Sequence, residues 1–461
     1  MELVDAIIIG AGQAGPPLAA DLAHNGRKVV LIERERLGGT CVNNGCIPTK
    51  TLVASARAAH MIRRAADFGV TVGASPSAAI KIDMAAVKAR KDTVVQQSRD
   101  SLAAWMGGTQ NLELAIGEAR FTGERTVAVN GRDLTAPLIV INTGGRPVAP
   151  DWPGIDDIPV LTNIEMMDLD RLPEHLVVVG GSYIGLEFAQ MYRRFGARVT
   201  VLESSPRIIA REDAHVSQAV MDLLASEGVE FHLGTHDFRI EKTASGFRLD
   251  LMAEAGAVTI DGGDLLAAIG RKPNVEALAL DACGIKQDAR GFITVGDDLQ
   301  TNVPGVYALG DVNGRGAFTH TSYNDYEILS ANLIGDEKRS LGGRLTGYAL
   351  YTDPPLARIG MTEAQAKASG RPVLKAFMPM TRVGRARERG ETTGFLSALA
   401  DAETGKILGA ALFGIEADEV IHLFINAMAS GLGCEEMRRI MPVHPTVSEL
   451  IPTLLGQLKP L

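Results

Sequence analysis

Short apolar runs recur along the chain, and two of them lead through a glycine-rich turn into an amphipathic helical stretch. The run Val4 to Ile9 is followed by Gly10-Ala11-Gly12-Gln13-Ala14-Gly15 and a helical pattern, and a second run, Val29 to Ile32, ends in Glu33. Strand, glycine turn, helix, strand and then an acid is the order of a dinucleotide-binding βαβ unit. In that unit Gly10 permits the turn, Gly12 lets a pyrophosphate approach, and Gly15 lets helix and strand pack. The helix N-terminus faces the phosphates, and Glu33 holds an adenosine ribose. The order returns at Val177 with Gly180-x-Ser182-x-x-Gly185, a strand Val199 to Leu202, and Glu203. Its middle glycine is a serine, small enough to read as a tolerated variant. Two such units predict two nucleotides, one permanently bound and one exchanging.

The same patterning predicts helices over Pro48 to Ala66 and Met84 to Trp105, and strands over Ala115 to Phe121, Leu138 to Asn142 and Leu265 to Gly270. Trp152-Pro153-Gly154 reads as a boundary. Beyond about Leu345 no nucleotide signal recurs, and no repeat exists besides the two fingerprints. A chain of 461 residues with 46% hydrophobic and 22% charged residues and 50 glycines fits about three α/β domains rich in tight turns. A net charge of −9 speaks against nonspecific nucleic-acid binding. No apolar run reaches the roughly 18 residues of a membrane span. Strand-like sequence begins almost at once, which leaves no targeting peptide and predicts a cytoplasmic location.

The chemistry concentrates in Gly38 to Lys50, GGTCVNNGCIPTK. In a regular helix, residues five apart are rotated by about 140°, too splayed for a disulfide. The first turn around Cys41 and Cys46 must therefore be distorted, which Gly45 eases. Pro48 suits the first helical turn. Cys46 then lies at a helix N-terminus, where the dipole and Lys50 favour its thiolate. A structural disulfide fits poorly in a cytoplasmic chain with four cysteines. A zinc site lacks ligands, since Cys283 and Cys434 are remote and no CxxC spacing occurs. A redox-active pair is the reading that remains, and no metal site is expected.

In combination these residues resemble the FAD-dependent pyridine nucleotide–disulfide oxidoreductases: dihydrolipoamide dehydrogenase, glutathione reductase, mercuric reductase and relatives. The resemblance implies two Rossmann-like dinucleotide-binding domains, for FAD and NAD(P), plus a C-terminal α+β dimerisation domain. The corresponding segments are 1–148 and 273–344 for FAD, 149–272 for NAD(P) and 345–461 for the interface. It implies FAD contacts from Thr40, Ala119, the turn at Thr143-Gly144, Asp311 on the ribitol chain, and Thr319 and His320 along the isoalloxazine. The return from the nucleotide domain is Gly270-Arg271-Lys272-Pro273-Asn274. Tyr183, with Ile184 beside it, matches the tyrosine that covers the nicotinamide pocket, and Glu187 pairs with Lys50 beside flavin N5. His444, oriented by Glu449, is implied to cross a homodimer as acid–base for the interchange thiol.

Glu203 favours the 2′-OH of NADH over a 2′-phosphate, with Arg207 and Arg211 near enough to admit NADPH. The implied acceptor is a small-molecule disulfide or thiol-linked substrate. The chain departs from each named relative. Met441-Pro442-Val443-His444 lacks the first histidine of the His-x-His that lipoamide dehydrogenases carry there, and Ala20 stands where glutathione reductases carry an arginine. The C-terminus Leu458-Lys459-Pro460-Leu461 lacks the cysteine pair of mercuric reductases. Gln13-Ala14-Gly15, Cys46 to Lys50 and Asp353 to Glu363 nevertheless look most like the mercuric-reductase-like branch that includes the reactive-chlorine-resistance reductase. Three readings stand: a disulfide reductase, a metal-ion (Cu(II)/Hg(II)-type) or quinone reductase on the same centre, and a flavoprotein subunit or redox sensor with a protein partner.

Overall fold

The computed structural model describes residues 1–71 and 80–461. In order, the chain forms β1 (Ala6–Ile9), α1 (Gly15–His24), β2 (Val29–Glu33), α2 (Gly39–Asn43), α3 (Cys46–Arg63), α4 (Met84–Gly108), β3 (Leu112–Ile116) and β4 (Leu138–Ile141). Then come β5 (Val160–Leu161), β6 (His175–Val179), α5 (Tyr183–Phe195), β7 (Arg198–Glu203), α6 (Ala214–Ser226), β8 (Val229–Leu233) and β9 (Asp264–Ala267). After β10 (Val306–Ala308) and α7 (Thr319–Ile334) follow β11 (Tyr348–Leu350), β12 (Leu356–Gly360), β13 (Val373–Pro379), β14 (Phe395–Asp401), β15 (Ile407–Phe413), α8 (Ala417–Ser430) and β16 (Lys459–Pro460).

Two parallel sheets carry the two fingerprints. The first has the order β10-β4-β1-β2-β3 and the second β5-β9-β6-β7-β8. Ala6 to Ile9 run opposite Val29 to Ile32, and His175 to Val179 opposite Arg198 to Leu202. All four residues of β1 and all five of β6 are buried, as expected of parallel strands covered on both faces. In each sheet the connection reverses beside the fingerprint strand, which opens a crevice at the strands' C-terminal ends. The third sheet, β11-β12-β15-β14-β13-β16, is antiparallel throughout and is covered by α8.

A glycine is required where the first turn closes. Gly10 has φ +104°, and a Cβ there would lie 2.3 Å from the Asn142 carbonyl oxygen. A Cβ on Gly15 would lie 2.1 Å from the Gly10 oxygen. Asn142 holds this switch point together: Gly15 N–H donates to its Oδ1 at 3.1 Å, and its Nδ2 donates to the Leu309 carbonyl at 2.8 Å.

Some boundaries differ from the sequence expectation. Ala115 to Phe121 is two strands, because β3 ends at Ile116 and the next strand, Arg120–Gly123, pairs antiparallel with Thr126–Val129. Asn130 causes the break: its Nδ2 donates to the Ile116 carbonyl at 2.9 Å and its side chain fills the space beside Gly117. The helix expected from Pro48 starts two residues earlier and ends at Arg63, followed by a 3-10 turn over Ala65–Phe68. α4 runs three residues past Trp105, its first turn capped by Asp83, which accepts from Ala86 N–H.

One apolar core spans the three parts of the molecule. Leu52 and Ala56 of α3 pack in the same cluster as Leu186 and Phe188 of α5 and as Leu350, Leu356 and Phe413 of the antiparallel sheet. The helix that begins at Cys46 is thereby fixed against the second nucleotide unit. Truncating Phe188, 1% exposed, to alanine would cost about 3–5 kcal/mol. Among the described residues no helix is long and apolar enough to cross a membrane.

Candidate active site

The helical path through the cysteines breaks into two pieces. Cys41 lies within α2, Asn44 and Gly45 interrupt the helix, and Cys46 is the first residue of α3. The distortion expected from the spacing is thus a complete break. Gly45 is needed there because a Cβ would sit 2.8 Å from the Thr40 carbonyl. Asn43 pins the short helix, donating to the Leu37 and Gly39 carbonyls at 2.9 and 2.8 Å and accepting from Arg99 of α4 at 2.5 Å.

Both thiols are free. They are close enough to shift each other's ionisation, and Cys46 Sγ lies 3.1 Å from Thr319 Oγ1. The two sulfurs are driven apart electrostatically. The Cys41 hydrogen bond, then Thr319 and Lys50, pull Cys46 down to about 6 against the opposing effect of burial. Cys41 is pushed well above the ordinary thiol range by its Cys46 partner and by burial. One negative charge shared by the pair therefore resides on Cys46.

Lys50 follows Cys46 by one helical turn. Its Nζ donates to both oxygens of Glu187, at 2.8 and 3.0 Å, and lies 4.4 Å from the centre of the Tyr351 ring. Tyr351 N–H donates to Glu187 Oε1 at 3.0 Å. Glu187 is 6% exposed, so the ammonium is held by a desolvated carboxylate and an aromatic face. Further along the same face of α5, Gln190 and Arg194 bind Asp353 and Glu227, while Arg57 of α3 binds Asp353 and Glu391. Sequence reasoning did not find Tyr351 or this ion network.

A cleft of about 1440 Å³ runs from the first glycine turn to the cysteines. Gly10, Gly12, Glu33, Ala119, Thr143 and Gly144 line it, together with Thr40, Asp311, Thr319, His320, Cys41, Cys46 and Lys50. Gly15 lies beneath the turn, outside the cleft. Glu33 accepts backbone N–H groups of Ala11 and Glu35, both at 2.9 Å, which fixes it in the cleft wall. The Thr143 hydroxyl is spent on the Asn274 carbonyl at 2.7 Å. Asp311 lies 3.7 Å from Arg271, and burial raises its carboxyl pKa. His320 is exposed and stacks on Phe318 with ring centres 5.3 Å apart. The cleft exceeds the roughly 300–1,000 Å³ of ordinary small-ligand sites. Its volume, the glycine turn at Gly10 and Gly12 in its wall and the acid Glu33 beside that turn fit an extended dinucleotide such as FAD.

The second glycine turn repeats this construction. Gly181 N–H donates to Glu203 Oε2 at 2.8 Å, as Ala11 does to Glu33, and Ser205 N–H donates to Glu203 Oε1 at 2.7 Å. Ser182 is exposed at the start of α5 with φ −109°, a backbone any residue adopts, so serine fits where glycine is usual. Arg207 donates to the Ala210 carbonyl of its own loop and Arg211 is exposed. Gly180, Ser182, Gly185, Glu203 and Gly270 lie outside the wide cleft, whereas Tyr183, Ile184 and Glu187 reach into it.

No residue beyond Tyr351 lines the cleft. His444 and Glu449 stand apart, with Nδ1 and Oε2 2.7 Å apart. The histidine side chain is 80% exposed and the glutamate 13%. Held at Nδ1, the ring has its Nε2 free for proton transfer. Ile440, Met441 and Val443 just before it are exposed at 53%, 93% and 76%, an apolar strip of the kind that marks a protein contact.

Comparison with known proteins agrees with this construction. Residues 4–325 match the pyridine nucleotide-disulphide oxidoreductase family, and 346–455 match the dimerisation domain of that family. The probable pyridine nucleotide-disulfide oxidoreductase RclA of Escherichia coli is 34% identical across the whole of both chains. A mercuric reductase of Bacillus cereus is 32% identical over 96% of this chain and 70% of its own length. A dihydrolipoyl dehydrogenase of Thermus scotoductus is 33% identical over 97% and 96%. The solved structure of the HOCl-induced flavoprotein disulfide reductase RclA from Escherichia coli superposes with a TM-score of 0.88 at 34% identity, covering 98% of this chain and 99% of that one. A Cu(II) complex of the same RclA gives 0.89 at 33%, covering 99% of each. With its paired dinucleotide crevices and cysteine-lined cleft, the chain belongs to the pyridine nucleotide-disulphide oxidoreductases, enzymes that work with FAD and a pyridine nucleotide.

Proposed function

We propose that this enzyme is an NADH-dependent disulfide reductase acting as a homodimer on a small-molecule disulfide. The observation that carries it is the cysteine pair seated beside Lys50 and Thr319, together with a histidine that is held by Glu449 and lies outside the cleft of its own chain. Segments 1–148 and 273–344 hold FAD, 149–272 the nicotinamide nucleotide, and 345–461 the dimer contact. Bound FAD supplies the passage of two electrons from nicotinamide to the cysteine pair. Lys50, fixed by Glu187 and Tyr351, keeps a positive charge beside Cys46 in the cleft.

Once reduced, Cys46 retains the thiolate and Cys41 the proton. Cys41 is a poor nucleophile in that state, so a base must take its proton. Nε2 of the partner subunit's His444, with Glu449 of the partner subunit on its other nitrogen, provides one. Cys41 attacks one sulfur of the substrate and forms a mixed disulfide. The departing thiolate takes the proton from the imidazolium. Cys46 then attacks Cys41, expels the second half of the substrate as its thiolate, which takes a proton from solvent, and closes the Cys41–Cys46 bridge.

Reduction of Cu(II) is the second reading, because the structurally similar RclA has been solved as a Cu(II) complex. NADH oxidation by the purified enzyme against disulfides, Cu(II), Hg(II) and quinones decides between them. Turnover with disulfides that is lost in His444→Ala supports the first reading, and metal or quinone turnover that survives the substitution supports the second.

Two further outcomes are expected. NADH outperforms NADPH in kcat/KM, because both Glu203 oxygens are fixed beside the glycine turn and neither arginine is paired with it. Glu203→Gln narrows the ratio, and an NADPH preference in the unaltered enzyme would refute the assignment. Hg(II) inhibits and is not turned over without an added thiol carrier. Cys41 and Cys46 trap it, while Cys283 and Cys434 are buried outside the cleft and cannot pass it inward.

A further inference from the structure

Glu212 sits where the nucleotide unit meets the antiparallel sheet, is 2% exposed, and has no role in the chemistry above. Its Oε1 accepts from two phenols, Tyr183 at 3.1 Å and Tyr348 at 2.7 Å. Its Oε2 accepts from Arg358 Nε at 2.6 Å, and the same guanidinium binds Asp213 at 2.6 Å. Arg358 is itself 2% exposed, so the carboxylate is locked in place by a buried ion pair. The phenols come from different parts of the molecule. Tyr183 opens α5 immediately after the second glycine turn and lines the cleft, and Tyr348 opens the antiparallel sheet. The Tyr348 ring stacks on Phe318 at 5.6 Å and meets Tyr183 edge-on at 5.8 Å.

Glu212 is also tied to the nucleotide seat. Ile209 N–H donates to the Gly181 carbonyl at 2.8 Å, and Glu212 N–H donates to the Ile209 carbonyl at 2.8 Å. Ile209 has φ +39°, a strained backbone for a β-branched residue. The short loop from Glu203 to Glu212 is thus clamped back onto the glycine turn, and Glu212 moves with it.

We propose that Glu212 is a positioning residue for the nicotinamide half of the reaction: fixed by Arg358, it holds the Tyr183 phenol and so sets how readily that ring yields the mouth of the cleft. This rests on the reading that Tyr183 covers the nicotinamide pocket. Nicotinamide must displace the ring, and displacement breaks the bond to Glu212. Tyr348 competes for the same oxygen and weakens that hold, so the two hydroxyls act in opposite senses.

The test is anaerobic stopped-flow reduction of the FAD-loaded enzyme by NADH, which separates the dissociation constant from the limiting rate. Tyr183→Phe removes one hydroxyl and should lower the NADH dissociation constant about tenfold, the scale of one hydrogen bond to a charged acceptor. Tyr348→Phe should raise it, and the double variant should match Tyr183→Phe alone. Glu212→Gln, where it folds, should shift it in the same direction as Tyr183→Phe. A purely structural role would not give shifts of opposite sign. Unchanged constants in both phenylalanine variants, or shifts of the same sign, overturn the proposal. Tyr183→Ala separates it from the reading beneath: an altered flavin-reduction rate there, with Tyr183→Phe silent, keeps the covering ring and removes Glu212. No change in Tyr183→Ala removes both.

Discussion

Homodimers of Cys41→Ser and of His444→Ala should each be almost inactive toward a disulfide, and co-expression of the two should restore activity. The serine variant lacks the attacking sulfur. The alanine variant lacks the base, a loss of about 10²–10⁴-fold in rate. His444 is 80% exposed at its side chain and lies outside the cleft of its own chain, next to the exposed Ile440, Met441 and Val443. An imidazole so placed acts on its own cleft only if the chain rearranges, but acts on a neighbour's if that apolar strip is a dimer contact. In a two-fold dimer of one chain of each kind, one site carries both defects and the other carries neither. About half of the unaltered activity per heterodimer is expected, by counting intact sites. Heterodimers isolated through two different affinity tags give the measurement. If each site used its own histidine, every site would keep one defect and no activity would return. That result would remove the shared site and leave the flavin and nucleotide assignments standing.

The two nucleotide units were legible because their glycines answer to backbone distances. A Cβ on Gly15 would meet Gly10 at 2.1 Å, and one on Gly185 would meet Gly180 at 2.0 Å, so the spacing is fixed by sterics and shows in the sequence. The cysteine motif was legible for the same reason, through Gly45. What escaped were side chains brought together from remote positions. Glu212, Tyr348 and Arg358 meet across 136 and 146 residues, and Tyr351 reaches Glu187 across 164. Periodicity carries no information about such pairings. One signal was available: Arg358 interrupts the otherwise apolar strand Leu356–Gly360, and a charge inside a buried strand requires a partner. The break at Asn44 was only half legible, because the spacing of the cysteines demanded a distortion without saying that two helices would result. Asn130 beside Gly117 split an expected single strand by a contact that no local pattern announces.

Cys46, not Cys41, should carry the thiolate that gives long-wavelength charge-transfer absorption with the oxidised flavin. Cys46 opens α3 within reach of Lys50 and Thr319 and is drawn down to about 6, while Cys41 is held above the ordinary thiol range. Cys41→Ser keeps a hydroxyl able to donate to the sulfur and should show the band at neutral pH; Cys46→Ser should not show it at any pH. A lowered thiol pKa means the thiolate persists above it, so the band in Cys41→Ser should be full at pH 8 and fade as pH falls through about 6. The Cys41 hydrogen bond is the largest of the influences lowering Cys46. Cys41→Ala deletes that donor, and its band should titrate at a higher pH than that of Cys41→Ser. Lys50→Met should raise the midpoint as well, through loss of the neighbouring positive charge. Alkylation of the flavin-free protein by iodoacetamide provides a reading independent of the flavin, with the same ordering of midpoints expected at Cys46. Equal spectra in the two serine variants, or a band that strengthens on acidification, would reverse the roles given to the two sulfurs and with them the direction of electron flow from Cys46 to Cys41 to substrate.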